Sequence, residues 1–177
     1  MNESKNAARK SALLVIDVQK GLFQKNTPIY KADELLDNIT ALVKKAQAAE
    51  VPVFYIQHSD QRDLAFGSEG WQLHPRLHPL EEDGLIFKQK SNSFEETNLD
   101  EVLKSKGIKS LVIAGLVTHG CVKNGCIGGK QLGYKVTLAR DAHSSYSTKA
   151  AQLIEEWNEK LAGENIELKS AAEIVFK

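Results

Sequence analysis

Short apolar runs of strand length alternate with stretches of helical periodicity along nearly the whole chain, and no other feature restricts the fold so tightly. Ser11–Ile16 reads as a strand buried on both faces, because its apolar residues run on without alternation. Leu35, Leu36, Ile39, Leu42, Val43 and Ala46 then fall on one helical stripe. Val51–Ile56 predicts the next strand, with Pro52 near its start where a missing N–H is tolerated. Leu85–Phe87 predicts a third, followed by a helix that uses Leu99, Val102 and Leu103. Ser110–Ala114 predicts a strand, Val122–Leu132 a helix interrupted by Gly125, Gly128 and Gly129, and Tyr134–Leu138 another strand. Ala150–Leu161 predicts a helix with Leu153, Ile154, Trp157 and Leu161 inward, and Ile166–Lys169 a last short strand. Repeated strand–helix alternation of this kind implies an α/β fold, a parallel sheet covered by helices on both faces.

A chain of 177 residues has the length of one such domain, and no internal repeat, low-complexity tract or linker divides it. The expected organisation is a polar tail over Met1–Lys10 and a single domain over residues 11–177. Lys plus Arg numbers 23 and Asp plus Glu 23, so the formal net charge is zero. That balance argues against sequence-independent nucleic-acid binding, which draws on excess positive charge. It also leaves little repulsion against self-association, so a homo-oligomer is expected. No apolar run approaches the roughly 20 residues of a membrane span, and the polar N-terminus does not read as a signal peptide. The expected location is the cytoplasm, with no membrane partner. Cys121 and Cys126 are the two cysteines, and their spacing suits neither a disulfide framework nor a zinc pattern.

In open parallel sheets, sites collect where strands end at their carboxyl edge. Asp17 follows the first strand, Lys88 the third, and Cys121 stands a short turn beyond Ser110–Ala114. An Asp directly after an apolar strand is costly to desolvate without a partner, although a helix-cap or loop-anchoring role would also account for it. Lys88 by itself reads as easily as a solvated surface lysine. Cys121 sits at the expected start of a helix, where free N–H groups and the dipole would lower a thiol pKa and could receive an oxyanion; an inert buried cysteine is the plainer alternative. Cys126, mid-helix, is expected to be inert. Gly125, Gly128 and Gly129 lie within or after a helix rather than between a strand and a helix, so phosphate-loop patterns fail and close helix packing is the better use. Gln57–Glu82 has no sustained period and holds His58, His74, His78 and Trp71; a loop this long in a compact domain is usually functional.

Three motifs carry a family resemblance. Leu13-Leu14-Val15-Ile16-Asp17-Val18-Gln19, Phe87-Lys88 with Ser93-Phe94 and Thr97-Asn98-Leu99, and Gly115-Leu116-Val117-Thr118-His119-Gly120-Cys121-Val122 resemble the isochorismatase-like cysteine hydrolases. Gly70-Trp71-Gln72-Leu73-His74-Pro75 and Gly133-Tyr134-Lys135-Val136 leading to Asp141-Ala142 extend the likeness, which runs in unbroken order from about Ala12 to Ser145. The resemblance implies a three-layer α-β-α sandwich, Rossmann-like, around a six-stranded, mostly parallel sheet. It also implies a catalytic group of Cys121 as nucleophile, Asp17 as general acid and base, and Lys88 as supporting cation. By the same likeness the Leu116–Val117 peptide is cis, and the backbone N–H groups of Val117 and Cys121 form the oxyanion hole.

The implied reaction is hydrolysis of a C–N bond in a small amide, carbamoyl or cyclic imide substrate through a thioester, without a cofactor. Phe23 and Trp71 are the expected aromatic walls of the substrate pocket, with Gln19 and His119 around the site. Nicotinamidases in the resembled family bind a metal through an Asp-x-His pair. Here Ile56 stands two before His58, so the carboxylate is missing and no metal is expected, although His58, Asp60, His74 and His78 could form an atypical site. The members that cleave isochorismate itself lack the nucleophilic cysteine, so Cys121 argues against that reaction. A non-catalytic or oligomeric binding protein that retains the fold remains the alternative from another class.

Overall fold

The computed structural model describes residues 10–177; of the expected tail, residues 1–9 lie outside the described residues. Six strands form one sheet: β1 (Ser11–Ile16), β2 (Val53–His58), β3 (Gly84–Lys88), β4 (Ser110–Leu116), β5 (Lys135–Ser144) and β6 (Glu167–Lys169). Their order is β3-β2-β1-β4-β5-β6, and every neighbouring pair is parallel, so the sheet is parallel throughout. The order reverses between β1 and β4, whose carboxyl ends flank the crevice where ligands enter doubly wound sheets.

The helices are α1 (Lys20–Phe23), α2 (Ala32–Ala48), α3 (Leu99–Ser105), α4 (Lys123–Gln131) and α5 (Ala150–Gly163). Side-chain alternation along β1 splits the core in two. Leu13 and Val15 join Tyr55 and the buried stripe of α2, all six of whose expected apolar residues are buried. Leu14 and Ile16 join Phe54, Ile56, Ile86 and residues of α3, α4 and α5 on the other face. In α5 only Leu161 of the expected inward set is fully buried; Leu153, Ile154 and Trp157 are half-buried.

Two strands run further than their apolar runs. β2 begins after Pro52 and continues through Gln57 and His58, because β3 pairs with both. β5 continues through Arg140 and Asp141, past a shift of register against β4 between Ile113 and Gly115. Gly115 lies beside that shift with φ +127°, and a Cβ there would stand 2.1 Å from the Ile16 carbonyl oxygen. Only glycine lets β4 approach β1 this closely.

Candidate functional site

Four adjacent strands deliver four side chains to one point at the carboxyl edge. Lys88 ends β3, His58 ends β2 opposite it in register, Asp17 follows β1, and Cys121 follows β4. The Lys88 ammonium is fully buried and lies 3.3 Å from Asp17 Oδ2, 3.2 Å from Cys121 Sγ, 2.9 Å from His58 Nδ1 and 3.1 Å from the Lys90 carbonyl oxygen. Asp17 is only 3% exposed and adopts φ 53°, a left-handed turn that ends the strand and swings the carboxylate toward Lys88. Its other oxygen, Oδ1, is buried and makes no hydrogen bond among the described residues.

Cys121 opens a helix, as expected: the π-type turn over Thr118–Val122 kinks at Gly120, the one residue in it with non-helical angles (φ −123°, ψ −109°), and the chain runs on helically from Cys121 into α4. The Leu116–Val117 peptide that leads into the turn is cis. The expected fall in thiol pKa is reversed: burial, then the charge of Asp17, push Cys121 up to about 11, and Lys88 opposes them without prevailing. Desolvation likewise raises Asp17 above the usual carboxylate value, against the pull of Lys88. The resting thiol therefore holds its proton, beside a carboxylate whose affinity for protons is itself raised. Cys126, inside α4 in the apolar layer, is pushed up to about 12 by burial alone.

A hydrogen-bonded chain that the sequence did not reveal supports the turn. Asn158 Nδ2 donates to the Arg140 carbonyl, which leaves its Oδ1 to accept from His143 Nε2 at 2.8 Å. His143 Nδ1 then accepts from the Thr118 hydroxyl at 2.8 Å. Burial holds the His143 imidazole below its usual pKa, which suits this neutral tautomer. No periodicity marks His143, because it lies in the polar half of β5.

The long loop is pinned rather than loose. Gln19 bridges Leu73, and its side chain both accepts from the His58 backbone N–H and donates to the carbonyls of His58 and Trp71. Gly21 N–H donates to Gly70 O at 2.8 Å, and a Cβ on Gly70 would stand 2.1 Å from the Asp63 carbonyl oxygen. His119 lies in the π-type turn, where its Nδ1 makes no hydrogen bond among the described residues.

A cavity of about 260 Å³ opens beside Lys88, lined by Ser59, Phe66, Phe87, Gln89 and Glu96. Neither expected aromatic wall lines it. The Trp71 ring stands against Phe66 at 4.7 Å and Phe87 at 5.2 Å, held there because Gln19 and Gln57 grip its carbonyl. Phe23 packs on the α2 side of the sheet, 4.6 Å from His74. A larger cavity of about 720 Å³, lined by Lys25, Arg62, Asp63 and Tyr146 among others, shares no residue with the cluster.

The loop histidines do not gather as a metal site. His74 Nδ1 accepts from the Arg76 N–H, and Asp60 Oδ1 accepts from the N–H groups of Arg62 and Leu64. Among the described residues the one group with metal-ligand spacing is Asp17, His58 and Cys121, whose donor atoms lie within 4.8 Å of one another. The Lys88 ammonium already stands within 3.3 Å of an atom of each, so this cluster has an internal cation and does not fit a resident metal.

Comparison with known proteins agrees with this fold. The isochorismatase domain family model matches residues 11–160. Streptothricin hydrolase of Streptomyces noursei is 29% identical over 142 residues, 79% of this chain but 51% of that protein, so the chain spans about half the length of that relative. A crystal structure described as an isochorismatase family protein superposes with a TM-score of 0.87 at 30% identity, covering 93% of this chain and 100% of the other. An isochorismatase structure from Pseudomonas putida KT2440 gives a TM-score of 0.87 at 26% identity, covering 94% and 91%. No described helix is long and apolar enough to cross a membrane.

Proposed function

The chain belongs to the isochorismatase family, and from that premise we propose a cysteine hydrolase that cleaves the C–N bond of a small amide, carbamoyl or cyclic imide substrate. The observation that carries this reading is the buried ammonium of Lys88, 3.3 Å from Asp17 and 3.2 Å from Cys121. An inert thiol has no need of a desolvated ion pair beside it, since burying two charges costs several kcal/mol per ion before their attraction is counted. The relative named as a hydrolase supports a hydrolytic reaction.

In this mechanism Cys121 Sγ attacks the substrate carbonyl while Asp17 takes the thiol proton. The raised carboxyl pKa makes Asp17 a better proton carrier than an ordinary aspartate at neutral pH. Lys88 stays charged between them and balances the negative charge as it passes from carboxylate to sulfur. The N–H groups of Val117 and Cys121 stabilise the tetrahedral oxyanion, a contribution often among the largest in acyl transfer. Asp17 returns the proton to the departing nitrogen, the C–N bond breaks, and a thioester remains on Cys121. Water then loses a proton to Asp17 and adds to the thioester; the intermediate collapses to the acid, and the thiolate is reprotonated. No cofactor takes part.

Two free cysteines suit a reducing compartment, which supports a cytoplasmic location. Leu85, Phe87 and Phe66, at 50%, 47% and 67% exposure, gather at the β3 edge and support a homo-oligomer. A screen of small amides, ureas and imides for ammonia or acid release tests the function. Turnover of one such class, lost in Cys121→Ala, is the expected result; turnover that survives Cys121→Ala contradicts it.

A further inference from the structure

Lys88 has three N–H bonds to give and four acceptors within reach: His58 Nδ1 at 2.9 Å, Lys90 O at 3.1 Å, Cys121 Sγ at 3.2 Å and Asp17 Oδ2 at 3.3 Å. The shortest contact is to His58, the one side chain among them that the proposed chemistry does not use. A charged ammonium has no lone pair, so His58 Nδ1 must be unprotonated and the single ring proton must lie on Nε2. Gln19 fixes the His58 backbone by accepting from its N–H and donating to its carbonyl, so the ring is aimed from a held position.

We infer that His58 is a positioning residue: the lone pair on its Nδ1 holds the Lys88 ammonium midway between Asp17 and Cys121. This rests on the proposed cysteine-hydrolase reading. A neutral acceptor suits the task better than a second carboxylate, because it orients the ammonium without cancelling the charge that the sulfur needs. Without it, Lys88 would close on Asp17, the stronger acceptor, and draw away from Cys121. The groups that face His58 are Lys88 and the Lys90 carbonyl from β3 and its extension, Asp17 and Gln19 after β1, Asp60 in the loop and Cys121 in the π-type turn. Burial, with the charge of Lys88 behind it, holds the imidazole below its usual 6.5, so His58 is neutral where a hydrolase works.

The test reads the sulfur rather than turnover. Alkylation of Cys121 by iodoacetamide is followed by mass spectrometry in a Cys126→Ser background at about pH 8.5, where the rate tracks the thiolate fraction. Lys88→Met sets the scale, slowing alkylation about tenfold for each unit by which the thiol pKa rises. The inference expects His58→Phe to slow alkylation toward the Lys88→Met rate. It expects His58→Asn, which places an amide oxygen near the position of Nδ1, to stay close to wild type. If Lys88→Met slows alkylation and His58→Phe does not, the inference falls and the proposed function stands. If Lys88→Met leaves the rate unchanged, the role given to Lys88 fails first and the inference with it. If His58→Asn is as slow as His58→Phe, the ring shape matters rather than the acceptor, and the inference is overturned. Nitrogen NMR of the wild-type imidazole needs no variant to fold: a bare Nδ1 with the proton on Nε2 is expected, and a proton on Nδ1 overturns the inference.

Discussion

Cys121 and Cys126 lie five residues apart on one continuous stretch of chain, yet they occupy different solvents. Cys121 is half-buried in a polar pit at the carboxyl edge of the sheet, with Lys88 Nζ 3.2 Å from its sulfur. Cys126 is fully buried in the apolar layer with Ile16, Val122 and Leu111. Both thiols are pushed up, to about 11 and about 12, so resting acidity barely separates them. What separates them is a place for the proton to go. Cys121 has Asp17, whose Oδ1 is buried without a hydrogen bond among the described residues, and a fixed cation to balance the charge left behind. In the proposed mechanism, reactivity therefore comes from a proton relay engaged during reaction, rather than from a thiolate stored beforehand.

The largest expected effect separates the two sulfurs outright. Cys121→Ala should abolish turnover with circular dichroism unchanged. Cys126→Ser should leave turnover near wild type and lower stability in urea by about 1–3 kcal/mol, the cost of an unsatisfied buried hydroxyl. Next comes Asp17→Asn, which keeps the shape but cannot carry a proton. Steady-state rates should drop about 10²–10⁴-fold. Thiolate absorbance should at the same time show Cys121 ionising more readily, because the Asp17 charge is one of the causes that raise its pKa. A loss of rate together with an easier thiolate would set the relay apart from simple thiol activation.

Lys88→Met should move Cys121 the other way, above about 11, since Lys88 is what opposes burial there. The same absorbance titration reads it, and an unchanged midpoint would remove Lys88 from the account.

A smaller effect concerns the scaffold of the turn. His143 is neutral in the fold with its pKa below 6.5, whereas the unfolded chain binds a proton there more readily. The unfolded state therefore gains protons first on acidification, and stability should fall as pH drops below about 6.5 toward the lowered folded value. In thermal melts across that range, His143→Asn should flatten the acid limb; an unchanged slope would leave the Thr118–His143–Asn158 chain without the neutral histidine assigned to it. The smallest effect is assembly: light scattering should report more than the 19.6 kDa monomer, and Phe66→Ser with Leu85→Ser should reduce it. A wild-type monomer at micromolar concentration would contradict the oligomer.

The fold was legible because its strands are apolar on both faces and its α2 stripe is regular, signals that local composition carries. The ends of β2 and β5 were not, since Gln57 and His58 become strand through pairing with β3, and β5 runs on across Arg140 and Asp141 because His143 and Ser144 pair with β4 beyond the register shift. Asp17, Lys88 and Cys121 could be named from motif order, but their convergence depends on strand order, which periodicity does not encode. His58 was visible only as a loop histidine, and His143 was missed, for the same reason: each is a polar residue beyond an apolar run, given meaning by a neighbouring strand or helix. Trp71 does not line the cavity beside Lys88 because its backbone carbonyl is held by Gln19 and Gln57, and Phe66 and Phe87 stand there instead, which local sequence does not show. The direction of the Cys121 pKa was not legible either, because a helix start favours the thiolate while desolvation, which only the packed structure shows, is the largest cause here.

The most direct test of the central claim is to catch the acyl group. The enzyme is quenched in acid during turnover of an amide that it cleaves, and its peptides are weighed by mass spectrometry. The account predicts an adduct of the acyl mass on the peptide bearing Cys121, absent from Cys121→Ala. An adduct on Cys126, or steady turnover in Cys121→Ala, would contradict it.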